Sequence, residues 1–316
     1  SHRLAMLTAI ALGSSGFLAP AQFASAADVT IDDVHAPSDN MYAPGGGPPV
    51  GTAAGYIGGE SDSGNVEGNT LTYNGRSIPY DKFLFGGVTF GTGSVTGNRV
   101  TVNATALPLL STVDGLYGGA TNGGGSVLNN HAVFNGDHLN GNMVGGEARN
   151  KGTGKVEGNT ATLKGGSAHE NIYGGRVADG ANGDVVGNTA TIEGGTATNI
   201  GKAVYGGYTD GAGAVTGNKV VITGGTVNDV YGGRAQSGDA TGNTVTITRG
   251  TVRNIDGGYS IGGNATGNTV NLGDGKSDYA GQVNGIINGG SGMTYGKDYR
   301  TGNTLNVYDN AGADNI

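Results

Sequence analysis

The clearest hydrophobic pattern in the chain is Thr244-Val245-Thr246-Ile247-Thr248, where apolar and hydroxyl side chains alternate. A period of two puts Val245 and Ile247 on one face of an extended strand and the threonines on the other. The alternation recurs in Thr70-Leu71-Thr72, Thr160-Ala161-Thr162-Leu163, Thr189-Ala190-Thr191-Ile192 and Thr304-Leu305-Asn306-Val307, each introduced by Gly-Asn. A glycine-rich turn such as Gly224-Gly225 follows, then a second short strand, Thr226-Val227-Asn228-Asp229-Val230-Tyr231, that runs into Gly232-Gly233. No stretch sustains a 3.6-residue period, so the pattern predicts strands and turns without helices.

Two anchors alternate along the chain. One is Gly-Asn, ending at Asn69, Asn98, Asn159, Asn188, Asn218, Asn243, Asn268 and Asn303, with Asn129-Asn130 as a degenerate ninth copy. The other is an apolar or aromatic pair before Gly-Gly, from Tyr56-Ile57-Gly58-Gly59 to Ile287-Asn288-Gly289-Gly290. A fixed order of anchors with steps of 25 to 35 residues is the signature of a solenoid. One such coil cannot bury its own apolar side, whereas stacked coils can. The expected fold is all-β, a parallel β-solenoid (β-helix) of about nine coils, forming a rod of roughly 40 Å at ~4.8 Å per coil.

The Asn column has two readings. Carboxamides at one corner of successive coils can donate to the next and accept from the previous one, a structural ladder through Asn69, Asn98, Asn130, Asn159, Asn188, Asn218, Asn243, Asn268 and Asn303. The alternative is ligand or metal binding by Asn oxygens, which repetition at every corner disfavours, because ligand sites are few per protein. The aromatic residues before Gly-Gly, Phe85, Tyr117, Tyr173, Tyr205 and Tyr231, are expected to form a second column stacked inside the rod, with a carbohydrate-stacking strip as the competing reading.

Composition narrows the picture. Of 316 residues 67 are Gly, about three times the usual share, yet the regular three-residue spacing of collagen is absent. A net charge of −8 and a pI near 5.0 argue against nucleic acid as a partner. The absence of Cys removes disulfide frameworks, thiolate metal sites and Cys nucleophiles. Residues 1–26 combine Arg3, an apolar run from Leu4 and the small-residue site Ala24-Ser25-Ala26, and read as a signal peptide or the tail of a longer one. Residues 27–55, rich in Asp, Pro and Gly, read as a linker or N-terminal cap, and 56–316 as the solenoid. No proline occurs after Pro108, as continuous strand pairing requires.

The sequence carries few groupings suited to chemistry. Glu67 and Glu157 share the slot before Gly-Asn but lie three coils apart, roughly 14 Å by the strand spacing, beyond the reach of a glycosidase pair. Asp179, Asp210 and Asp239 fall in successive variable segments near Arg176 and Arg234, and read as solvated surface charge. His131 and His138 lie in the least regular unit without ligand spacing. Calcium-binding nonapeptides and phosphate-binding glycine loops are absent, and outward Thr pairs are too often interrupted for an ice-binding array. No catalysis, cofactor or metal is expected.

The unit Gly-Asn-Thr-Val-Thr-Ile at Gly242-Asn243-Thr244-Val245-Thr246-Ile247, with Gly225-Thr226-Val227-Asn228-Asp229-Val230-Tyr231-Gly232-Gly233 before it, resembles the passenger region of Gram-negative type V secretion autotransporters. The resemblance covers nearly the whole chain and is specific for architecture rather than activity. It implies a β-solenoid exported to the cell surface, outer membrane or extracellular space, with adhesive or structural work. Such proteins finish in an outer-membrane β-barrel; this chain stops at Ile316 without one and reads as a passenger fragment truncated at its C-terminus. The expected partners are a host-cell surface protein or glycan, and the outer membrane through the missing barrel, for a monomeric rod. The lack of Cys suits export as an extended chain. A polysaccharide lyase or hydrolase and an inert spacer stalk stand as the alternatives.

Overall fold

The computed structural model describes residues 28–31, 55–74, 82–103, 113–149, 152–199, 201–275, 280–293 and 300–308. The expected signal peptide lies outside them. So does most of the 27–55 segment, of which Asp28–Ile31 pairs in parallel with Thr70–Tyr73 and adds a strand to the stack. The described elements are all strands, and every described pairing is parallel.

Each coil begins with a two-residue strand, as in Val185–Val186. The chain turns at Gly187, continues through Thr189–Ile192, turns again at Gly194-Gly195, and returns through Thr196–Ala197 and Ala203–Thr209. The short strands form an eight-stranded sheet of their own; the others merge into a twenty-stranded sheet that wraps the remaining sides. The corner after the short strand needs a left-handed residue. Gly242 adopts φ +63° there at no steric cost. In the degenerate unit Asn129 takes φ +55°, which Asn tolerates better than other side chains, so that corner survives without glycine.

About seven turns with a spacing of about 29 residues are complete, fewer than the nine coils expected from counting anchors. A turn needs all of its sides. The last Gly-Asn carries only Thr304–Val307, paired on Thr269–Leu272, with no short strand before it among the described residues. Leu305 and Val307, which occupy inward register positions, are exposed at this end.

The interior holds two apolar clusters. The larger joins the alternating strands to the return strands, for example Val220, Ile222, Val227 and Val230. The smaller joins the short strands, as Val156, Val185 and Val215, to residues beyond Gly-Gly such as Val177 and Ala235. The Asn column stands at the corner between the short and alternating strands.

Candidate functional site

The Asn corner is fully internal. From Asn69 to Asn268 the side chains are 0–1% exposed, and only Asn303, on the last rung, is half-buried. Asn188 donates through Nδ2 to Asn218 Oδ1 at 2.9 Å, and its backbone N–H donates to the same oxygen at 2.9 Å. Its Nδ2 also donates to Val156 O at 2.9 Å, satisfying the short strand of the preceding coil. The Nδ2-to-Oδ1 link repeats through every step from Asn69 to Asn303. The second glycine of each Gly-Gly makes room for it: a Cβ on Gly207 would lie 2.5 Å from Asn218 Cγ. No surface is left there for a ligand.

The aromatic column lies elsewhere than expected. Successive residues of a strand face opposite ways. Leu84, Leu116, Ile172, Val204 and Val230 enter the larger inner core, whereas Phe85, Tyr117, Tyr173 and Tyr205, with Tyr231 packed against them, belong to a separate cluster on the outer face of the same strands. The expectation of a stack inside the rod is therefore corrected: the pair before Gly-Gly puts its first member inside and its second outside. Phe85 and Tyr117 stack at 4.9 Å, Tyr173 and Tyr205 at 4.9 Å, and Tyr205 and Tyr231 at 5.2 Å, with Val144 interrupting the column between Tyr117 and Tyr173.

Beyond Gly-Gly a second outer column faces the first across the bend. In register it runs Glu147, Arg176, Tyr208, Arg234 and Tyr259, so Arg and Tyr alternate from rung to rung. The two columns meet in a longitudinal seam, a shallow groove whose floor at Tyr117, Tyr173 and Tyr205 is only 3–5% exposed beneath the arginine–tyrosine wall, as where the Arg176 guanidinium covers the Tyr173 ring. Tyr208 meets Tyr173 and Tyr205 edge-on at 5.5 and 5.3 Å. The Arg234 guanidinium lies 5.8, 5.6 and 5.4 Å from the ring centroids of Tyr208, Tyr231 and Tyr259, and its Nη1 donates to Tyr205 Oη at 3.3 Å.

A buried carboxylate anchors the middle of this wall. Glu147 is fully buried and pairs with Arg149 through Oε1 and with Arg176 through Oε2, the latter at 3.0 Å. Burial opposes the Arg176 charge, but Glu147 overcomes it and the guanidinium titrates above its ordinary range. Burial, and then Glu147, push the Tyr117 phenol up to about 12. Burial raises Tyr173 and Tyr205 as well, and with the neighbouring Tyr205 it brings Tyr231 to about 12. At neutral pH the groove therefore presents neutral phenols and charged guanidinium groups.

The acidic residues of the variable segments have other work. Asp210 accepts from the backbone N–H groups of Asp179 and Gly180 at 3.2 and 3.0 Å, and Asp239 accepts from Asn264 N at 2.7 Å. They tie each loop to the next. Glu67 and Glu157 sit three rungs apart on the short-strand sheet, and Glu157 pairs with Lys155 at 2.9 Å. His131 and His138 bond Thr160 and Ser167 through Nδ1 at 2.8 and 2.7 Å. Among the described residues no cluster of three His, Asp or Glu side chains could hold a metal.

Reading the sequence missed Glu147, Arg149, Tyr208 and Tyr259 and took Arg176 and Arg234 for loop charges. Aligning the repeats on Gly-Gly and reading the first residue after it would have assembled the wall column. No protein family, curated protein or solved structure matches the chain.

Proposed function

We propose that this chain is the rod of an exported, surface-displayed protein of the autotransporter-passenger kind, and that it works by adhesion rather than by turnover. The carrying observation is how its carboxylates are used. Asp210 and Asp239, which a polysaccharide-cleaving site on the variable segments would need, accept backbone N–H bonds between loops, and Glu147 is closed off between two arginines. A rigid parallel stack offering side faces and loops suits shallow recognition, with avidity supplied by many displayed copies. The motif resemblance supports export to a Gram-negative surface, where a host-cell protein or glycan is the partner.

The test is to incubate the purified chain with a polysaccharide panel and with host cells, following reducing ends, unsaturated products and retained protein. Adhesion without product supports the reading. Turnover abolished by Asp179→Asn, Asp210→Asn or Asp239→Asn overturns it in favour of an enzyme, and neither adhesion nor turnover leaves the spacer.

A further inference from the structure

The outer groove has features that a purely structural face does not need. In a chain of net charge −8, Arg149 and Arg176 share the fully buried carboxylate of Glu147, and Arg234 stands two rungs beyond Arg176 along the same wall. Arg176 Nε is buried without a hydrogen-bond partner, and among the described residues Arg234 makes no ion pair. The nearby acids are held by other donors, Asp229 accepting from Asn254 Nδ2 at 2.7 Å and Asp256 from Ser291 Oγ at 2.6 Å. Asp256, in register with Tyr231, lies within the field of Arg234 without pairing with it. Tyr208, Arg234 and Tyr259 are half-buried rather than enclosed, so groove and solvent meet at this wall.

We propose that this groove binds an extended acidic glycan, a β-linked chain of uronate sugars lying along the rod axis between Arg149 and Tyr259. Like residues recur every second rung on the wall, a repeat of ~9.6 Å at the strand spacing. That is close to the length of one disaccharide in an extended β-1,4-linked glycan. Neighbouring sugars in such a ribbon are flipped relative to each other, so carboxylates on alternate sugars face the same wall. Two of them meet Arg176 and Arg234, which offer forked donors suited to carboxylate. The intervening sugar lies against Tyr208 and the next against Tyr259, where a ring face covers apolar C–H surface. Tyr205 and Tyr231 hold the Arg234 guanidinium in place, the first through its hydroxyl and the second through its ring.

This inference deepens the adhesive reading and rests on it for biological meaning. Its test uses the full chain, with a β-1,4-linked mannuronate hexamer as probe and the β-1,4-linked mannose hexamer as its neutral match, followed by calorimetry at low and high salt. The chain has 14 Tyr and no Trp, so a change in tyrosine emission on binding gives a second readout. The mannuronate hexamer is expected to bind at least about tenfold more tightly than the mannose hexamer, with the advantage shrinking as salt rises. Arg234→Gln and Tyr208→Ala should each weaken it about tenfold, while Arg253→Gln, at an exposed position outside the two columns, leaves affinity unchanged. Circular dichroism confirms that each variant is folded, and the comparison of the two hexamers on the unaltered chain needs no variant. Equal affinity for the two hexamers, equal effects of Arg234→Gln and Arg253→Gln, or no heat and no emission change overturns the proposal. Cell adhesion that persists with Arg234→Gln would overturn the groove while leaving the adhesive reading standing.

Discussion

The same return strand serves two regions that differ in almost every respect. On its inner side the second glycine of Gly-Gly lies against an Asn ladder that is chemically identical from rung to rung. On its outer side the flanking positions change at each rung, from Val88 and Ala120 through Glu147 and Arg176 to Tyr208, Arg234 and Tyr259. The ladder has to repeat, because each carboxamide oxygen accepts two bonds from the coil before it while its amide donates onward, and no other uncharged side chain of that length does both. The groove is free to vary, because rings, methyl groups and ion pairs can cover one another in many combinations. Periodicity therefore marks what holds the rod together, and departure from periodicity within a buried column marks what has been adapted.

Deletions press this contrast hardest. Removing residues 242–266 takes out one step of 25 and brings Thr269–Leu272 into the register now held by Thr244 to Ile247, so the β-type circular dichroism and protease resistance should survive. Removing residues 242–253 alone leaves a partial coil, and both should be lost. Equal behaviour of the two deletions would show the coil boundaries to be misplaced.

The next largest effect is expected at Glu147. Glu147→Gln strands Arg149 and Arg176 in the groove, and the loss of stability should approach the about 3 kcal/mol typical of a broken buried pair. Asn243→Ala leaves Asn218 N–H without its acceptor and removes one partner each from Asn218 Nδ2 and Val215 O, and should cost about 1–3 kcal/mol. The half-buried outward Thr246→Ser should cost far less. Chemical unfolding midpoints order the three, and a Thr246 variant as damaged as the Asn243 variant would remove the ladder from its structural role.

Alkali should separate the two regions, because only the groove titrates there. Tyr117 is raised from its ordinary 10.0 to about 12, so its neutral phenol contributes stability that is complete below pH 10.0 and fades as pH climbs toward about 12. Tyr231 follows the same course. An ultraviolet titration should show a late-ionising class of phenols coinciding with a fall in thermal midpoint, and early ionisation of all tyrosines would contradict a buried floor. The smallest effect is at Glu60, whose buried carboxylate oxygens have no partner and whose pKa is raised by burial and by Asp62. Its contribution is present at low pH and lost as pH rises through the raised value, so Glu60→Gln should lift the midpoint slightly at neutral pH and less in acid.

Most of the architecture was legible in the chain before folding was considered. The two-residue period of Val245 and Ile247, the Gly-Asn corners and the nine carboxamides require only local geometry and repetition, and these together specify parallel coils in register. Counting anchors overstated the rod, because an anchor is a local mark whereas a turn is closed only when all its sides find partners. The sequence could not say on which side of the strand the aromatic column falls: Val204 and Tyr205 are both suited to burial, and the direction of each is set by the bend at Gly206-Gly207 and by which neighbour the Asn ladder leaves uncovered. Nor could it unite Glu147, Arg176 and Arg234. They are separated by a coil or more of chain, and only stacking, which converts a distance of about 29 residues into one strand spacing, brings their charges into the same groove.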